Sequence, residues 1–159
     1  MTETPLLQQA RRFLAALPHC QAIGLSVTAI DARGVTLTLP YSAAIVGNPF
    51  TGVIHGGAVT TLMDTTCGIA TLCVLPVFEV CPTLDLRIDY IHPAQAHKAI
   101  HGHAQCYRVT RDVIFTRGFA YQDDPEQPIA QVMGTFMRLG AGIKGGAAFA
   151  GALAQGGQP

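Results

Sequence analysis

Charge is scarce in this chain. Asp, Glu, Lys and Arg make up only 13% of its 159 residues, against 49% hydrophobic residues. That balance excludes a disordered chain and points to a single well-buried domain that hides further surface in an oligomer. The formal net charge is zero and no basic stripe is interleaved with aromatics, which argues against a nucleic-acid partner. Five cysteines (Cys20, Cys67, Cys73, Cys81, Cys106) include no C-x-x-C pair and leave one odd thiol. They argue against a disulfide framework and for reduced, mostly buried thiols in a cytoplasmic protein. The start Met1-Thr2-Glu3-Thr4-Pro5 has neither the basic residues nor the apolar run of a signal peptide. The longest uncharged apolar run, Thr65 to Phe78, is too short to cross a bilayer. No internal repeat is visible. These absences together predict a soluble cytoplasmic protein with no membrane partner.

What is present reads as one domain over residues 1–139 and a Gly/Ala/Gln-rich tail over 140–159, the latter expected to pack loosely. Thr4 to Leu17 predicts an amphipathic helix: Thr4 suits the N-cap, Pro5 the first helical position, and Pro18 the end. Ala22–Ile30 and Val35–Leu39 predict two strands joined by Asp31-Ala32-Arg33-Gly34. Gly56 to about Leu75 predicts a long helix, apolar nearly all round and therefore buried, stopped by Pro76. Strand candidates follow at Thr83–Ile91, Ala99–Val109, Val113–Tyr121 and Ile129–Leu139. Thr83–Ile91 alternates most cleanly, with Leu84, Leu86, Ile88 and Tyr90 on one face. This order predicts an α+β fold in which an antiparallel sheet wraps one buried helix.

His55-Gly56-Gly57 and Asp64 hold the chemistry. Between Val53 and Phe78 they supply the only side chains with strong acid–base character, His55 and Asp64. A carboxylate in such surroundings needs compensation, because removing an ion from water is costly unless it is paired or hydrogen-bonded. Asp64 is therefore expected to face a small pocket shared with substrate and water. Glycines that open a helix leave backbone N–H groups unpaired and admit a close approach, and the helix dipole adds partial positive charge there. A carbonyl set against the Gly56 N–H would be polarised. Asp64 lies two turns further on, about 12 Å along the axis, too far for both groups to act on one carbonyl. Either the helix begins later than Gly56, or a second subunit completes the site.

The stretch Gly47-Asn48-Pro49-Phe50-Thr51-Gly52-Val53-Ile54-His55-Gly56-Gly57, then Leu62-Met63-Asp64, resembles the hotdog-fold acyl-CoA thioesterases of the PaaI (phenylacetate-degradation) type. The segments Pro82-Thr83-Leu84-Asp85-Leu86 and Tyr90-Ile91-His92-Pro93-Ala94 are also similar to that family. The resemblance covers about residues 20–139. It implies a hotdog fold and hydrolysis of acyl-CoA to free acid and coenzyme A. Asp64 would be general base or nucleophile, and Gly56 the oxyanion N–H donor. His55 and Asn48 would shape the site, and Thr83 would orient water or carboxylate. Asn48 sits one residue further from the histidine than the family spacing. The resemblance also implies a homodimer or homotetramer with the site at the subunit interface. No metal or other cofactor is expected; coenzyme A belongs to substrate and product.

Arg108, Arg111 and Arg117, ahead of Arg87, are candidates for the coenzyme A phosphates, since guanidinium binds phosphate bidentately. The acyl pocket is expected to draw on Val59, Met63, Cys67, Phe50 and Phe78 together with residues of a facing subunit. His101-x-His103 puts two imidazoles on one strand face without a carboxylate or cysteine at ligand spacing, a weak metal signature. Two alternatives remain: an acyl-CoA-binding module without turnover, and a hotdog enoyl-CoA hydratase.

Overall fold

The structure is a computed structural model that describes residues 4–140; the expected tail lies outside the described residues except for Gly140. The chain opens with helix α1 (Pro5–Ala15), and Thr4 Oγ1 caps it by accepting from Leu7 N at 3.3 Å. Pro18 ends that helix but also begins another. It occupies the first turn of α2 (Pro18–Ala22), where its missing N–H costs nothing. The strand expected from Ala22 therefore starts later, as β1 (Ser26–Asp31), which pairs with β2 (Gly34–Leu39) across the anticipated turn.

A small hairpin, β3 (Val46–Asn48) with β4 (Val53–Ile54), occupies the segment expected to be loop and delivers the chain to α3 (Gly56–Ala70). Helix α3 ends earlier than Pro76 requires. Its last turn tightens over Thr71–Cys73, where Thr71 Oγ1 donates to Gly68 O at 2.7 Å. Strands β5 (Thr83–Tyr90), β6 (Ile100–Val109), β7 (Val113–Tyr121) and β8 (Ala130–Met137) follow. They join β1 and β2 in one antiparallel six-stranded sheet of order β1-β2-β6-β7-β8-β5. This is the hotdog arrangement, with α3 as the filling and β1 and β5 as the sheet edges.

Helix α3 meets the sheet through Val59, Leu62, Met63, Thr66, Cys67 and Ala70, all buried and spaced three or four apart. The approach is close. A Cβ on Gly102 of β6 would lie 2.9 Å from Met63 Sδ and 3.1 Å from Leu62 Cγ, so only glycine admits the helix at that depth. Burial of each large side chain there contributes roughly 1.5–3 kcal/mol. The helix is not buried all round, however. Gly57, Thr60, Thr61, Asp64 and Thr65 form a half-open stripe on the flank beside the β5 edge of the sheet. Val59, Met63 and Cys67, expected around an acyl group, face the sheet instead, while Phe50 is 97% exposed and Phe78 packs against the ring of Phe13. No helix among the described residues is long and apolar enough to cross a membrane.

All five cysteines are free; Cys20 and Cys67 are buried and the other three half-buried. Burial pushes the Cys67 and Cys106 thiols up to about 12 and Cys73 up to about 11, from an ordinary 9.0. The folded chain then holds protons that the unfolded chain releases between pH 9 and those values. Their contribution is complete below pH 9 and is lost as pH rises towards 11–12. Thermal unfolding should therefore show Tm falling progressively above pH 9, with the fall reduced in Cys67→Ala/Cys106→Ala. A Tm flat to pH 11 would contradict the burial effect.

Candidate active site

The site forms around the first two turns of α3. His55 is its N-cap: Nδ1 accepts from Gly57 N at 2.9 Å, so that nitrogen is unprotonated and the ring proton sits on Nε2. The His55 N–H in turn donates to Ile45 O at 2.8 Å, which anchors the cap to the segment before β3. Gly56, at the first helical position, has no intrahelical acceptor for its N–H. Its carbonyl accepts from Tyr90 Oη at 2.7 Å and from Thr60 Oγ1 at 3.1 Å, and the two hydroxyl oxygens lie 3.0 Å apart.

The next carbonyl is held in a similar way. Thr61 Oγ1 donates its one proton to Gly57 O at 3.0 Å, so its contact with His19 Nε2 at 3.2 Å must have the imidazole N–H as donor. One turn on, Asp64 Oδ1 accepts from Thr83 Oγ1 at 2.8 Å. Oδ2 has no hydrogen-bond partner among the described residues. Asp64 is half-buried, at the edge of a cleft of about 500 Å³ whose other walls include Thr60, Thr65, Thr83, Leu17 and Cys20. A second cleft of about 480 Å³ opens at His55, Gly57 and Ala58. His19 and Thr61 line both clefts, so the two meet at that hydrogen bond.

The structure therefore brings Asp64 to Thr83, and His55 to the diglycine. It does not bring Asp64 to Gly56. Helix α3 begins at Gly56 itself, which leaves the eight-residue separation, about 12 Å of helix rise, in place. Asn48 turns into its own loop, where Oδ1 accepts from Phe50 N at 3.0 Å and Thr51 N at 3.3 Å. That Asx-type turn shapes the hairpin preceding His55. Arg108, Arg111 and Arg117 are exposed on β6, β7 and the turn between them, and none lines either cleft. Arg111 pairs with Asp112 at 3.0 Å, and Arg117 lies 5.9 Å over the Tyr107 ring. Arg87 pairs with Asp89 at 3.1 Å. His101 and His103 bond to Thr38 at 2.9 Å and Thr36 at 3.1 Å across the sheet, against Tyr121 and Phe119.

Tyr90, Thr60, Thr61 and His19 are the site residues the sequence reading missed. The two threonines carried a signal, standing four residues beyond each glycine, where a hydroxyl reaches back to the carbonyl. Tyr90 was legible only as one position of a strand face shared with Leu84, Leu86 and Ile88, and nothing local marks His19.

Residues 51–129 match the family model of the thioesterase superfamily. A solved structure from Pseudomonas aeruginosa is 72% identical, covers 85% of this chain and 100% of its own, and superposes with a TM-score of 0.80. A Streptococcus mutans protein solved bound to acetyl-CoA is 18% identical over 74% of this chain and 90% of its own, with a TM-score of 0.64, a likeness of fold. A candidate esterase of Halobacterium salinarum is 34% identical over 76 residues, 46% of this chain. The chain spans half the length of that curated relative.

The His55 cap can be tested apart from any activity. His55→Ala should cost about 1 kcal/mol of stability, whereas His55→Asn, also a good N-cap, should retain most of it. Thermal unfolding reads the difference, and equal Tm values for the two variants would contradict the cap.

Proposed function

This chain belongs to the thioesterase superfamily, and we propose that it hydrolyses acyl-CoA thioesters to the free acid and coenzyme A. The observation that carries the proposal is Asp64 at the edge of the cleft, with Oδ1 bound by Thr83 at 2.8 Å and Oδ2 left available. The Thr83 hydroxyl fixes the carboxylate, and Oδ2 takes a proton from water as that water attacks the thioester carbonyl carbon. Charge develops on the carbonyl oxygen, which the N–H of Gly56 stabilises with help from the helix dipole. Collapse of the tetrahedral intermediate breaks the carbon–sulfur bond, and the coenzyme A thiolate leaves with the proton returned through Asp64. Direct attack by Asp64 would use the same geometry and pass through an anhydride instead. The acetyl-CoA bound by the Streptococcus mutans protein of the same fold supports the substrate class.

A single protomer cannot perform this reaction, because the base and the donor stand two turns apart on one helix. A second copy supplies the missing half, with Gly56 of one chain opposite Asp64 of the other. Two features support a homodimer. The polar stripe of α3 is open, and β5 is an edge strand with exposed Leu84 and Tyr90 that offers unpaired backbone. Arg108, Arg111 and Arg117 remain the candidates for the coenzyme A phosphates, which from their positions would come from a neighbouring subunit. Five free thiols support a reducing, cytoplasmic setting.

The test is thiol release from short, medium, long and aromatic acyl-CoAs by wild type and Asp64→Asn, with a blank for the protein's own cysteines. Asp64→Asn should lose on the order of a hundredfold or more in kcat while keeping the wild-type Tm. Comparable turnover by the two proteins would overturn the role of Asp64. Binding of acyl-CoA without thiol release by wild type would point instead to a binding module.

A further inference from the structure

Gly56 carries the N–H assigned above to the oxyanion, yet glycine is the residue least able to hold its own backbone direction. Two peptide planes meet at its Cα. The first, between His55 and Gly56, is tied through its carbonyl to Ala58 N at 2.9 Å. A trans peptide sets N–H opposite to C=O, so with that carbonyl turned into the helix the Gly56 N–H points out of the helix start. The second plane, between Gly56 and Gly57, is held at both ends. Its N–H donates to His55 Nδ1 at 2.9 Å, and its carbonyl accepts from Tyr90 at 2.7 Å and Thr60 at 3.1 Å.

Core packing does not account for Tyr90. The residue is 54% exposed at the end of an edge strand, and its hydroxyl aims at a carbonyl that the helix ladder and Thr60 already serve. A Cβ on Gly56 would lie 3.3 Å from the Tyr90 hydroxyl oxygen, so tyrosine fills the space beside the glycine. We infer that Tyr90 is a positioning residue: by locking the Gly56–Gly57 peptide plane from β5, its hydroxyl stops the chain pivoting at the Gly56 Cα, so the preceding plane, tied at His55 O, keeps the Gly56 N–H pointing outward. The catalytic consequence rests on the thioesterase reading; the locking itself does not. Tyr90 also couples β5 to the helix start, so a partner strand docking along β5 would bear on the same donor.

Tyr90→Phe removes the hydroxyl and keeps the ring, and Tyr121→Phe is the control, the same loss of a hydroxyl on β7 beside His101 and away from both clefts. Two quantities are read for each: steady-state turnover of acyl-CoA, and hydrogen exchange of the Gly57 amide by NMR in the substrate-free protein. Tyr90→Phe should speed Gly57 exchange several-fold and lower kcat about tenfold at unchanged KM. That is part of the hundredfold or more that loss of an oxyanion donor costs. Tyr121→Phe should stay near wild type in both. Unchanged Gly57 exchange in Tyr90→Phe overturns the inference, whatever turnover does, since any kinetic loss would then arise from direct contact with substrate. Faster exchange with kcat within about twofold of wild type overturns it too. If wild type itself shows no turnover while exchange still quickens, the locking stands and the thioesterase reading fails.

Discussion

Helix α3 is a rigid rod that holds Gly56 and Asp64 eight residues apart, and the rest of the molecule is arranged around that separation. The sheet grips one side of the rod through buried side chains at three- and four-residue spacing, with Gly102 permitting close contact. This grip leaves the flank beside β5 and α2, with its threonines and Asp64, half-open. On the proposed function, the donor at the helix start and the acid two turns later are thus two half-sites. A second copy running the other way can complete both at once, which is the self-complementary interface a twofold dimer requires.

The half-sites are tuned by hydroxyls more than by charges. Thr60, Thr61 and Tyr90 bind the carbonyls of the diglycine, and Thr83 binds the carboxylate, while the imidazoles of His55 and His19 hold their places through one nitrogen each. The neutral hydrogen bonds among these each contribute about 1 kcal/mol of stability. Their larger effect here is to remove freedom from a glycine pair that would otherwise be the most pliable point of the site. A thioester suits such a site, because thiolate leaves easily and demands modest assistance from base and donor.

Much of this was legible in the sequence, for identifiable reasons. The Thr4-Pro5 cap, the turn at Asp31–Gly34, the start of α3 at Gly56 and the strand Val113–Tyr121 are written in local signals that tertiary contacts did not override. The resemblance carried by the His55-Gly56-Gly57 to Asp64 spacing led to the superfamily that the family model matches. Other features needed three dimensions. Pro18 reads as a stop whether or not another helix follows, and a run of small and apolar residues conceals which side of α3 meets the sheet. Tyr90 and His19 reach the site from β5 and α2, and their meeting with Gly56 and Thr61 depends on strand register and helix docking. Asn48 illustrates the reverse: an asparagine before proline in a short hairpin spends its oxygen on its own turn.

The central claim is that one catalytic unit is assembled from Gly56 of one chain and Asp64 of another. Gly56→Pro deletes the donor N–H at a helix position that tolerates proline, and Asp64→Asn deletes the base. Each variant alone should be nearly inactive. Co-refolding equal amounts of the two should restore about a quarter of wild-type activity per chain, since half the random dimers are mixed and each mixed dimer holds one intact site. Recovery at that level is what a shared site predicts. A mixture that reassorts its chains, yet stays as inactive as its components, would contradict it and place donor and base within one protomer.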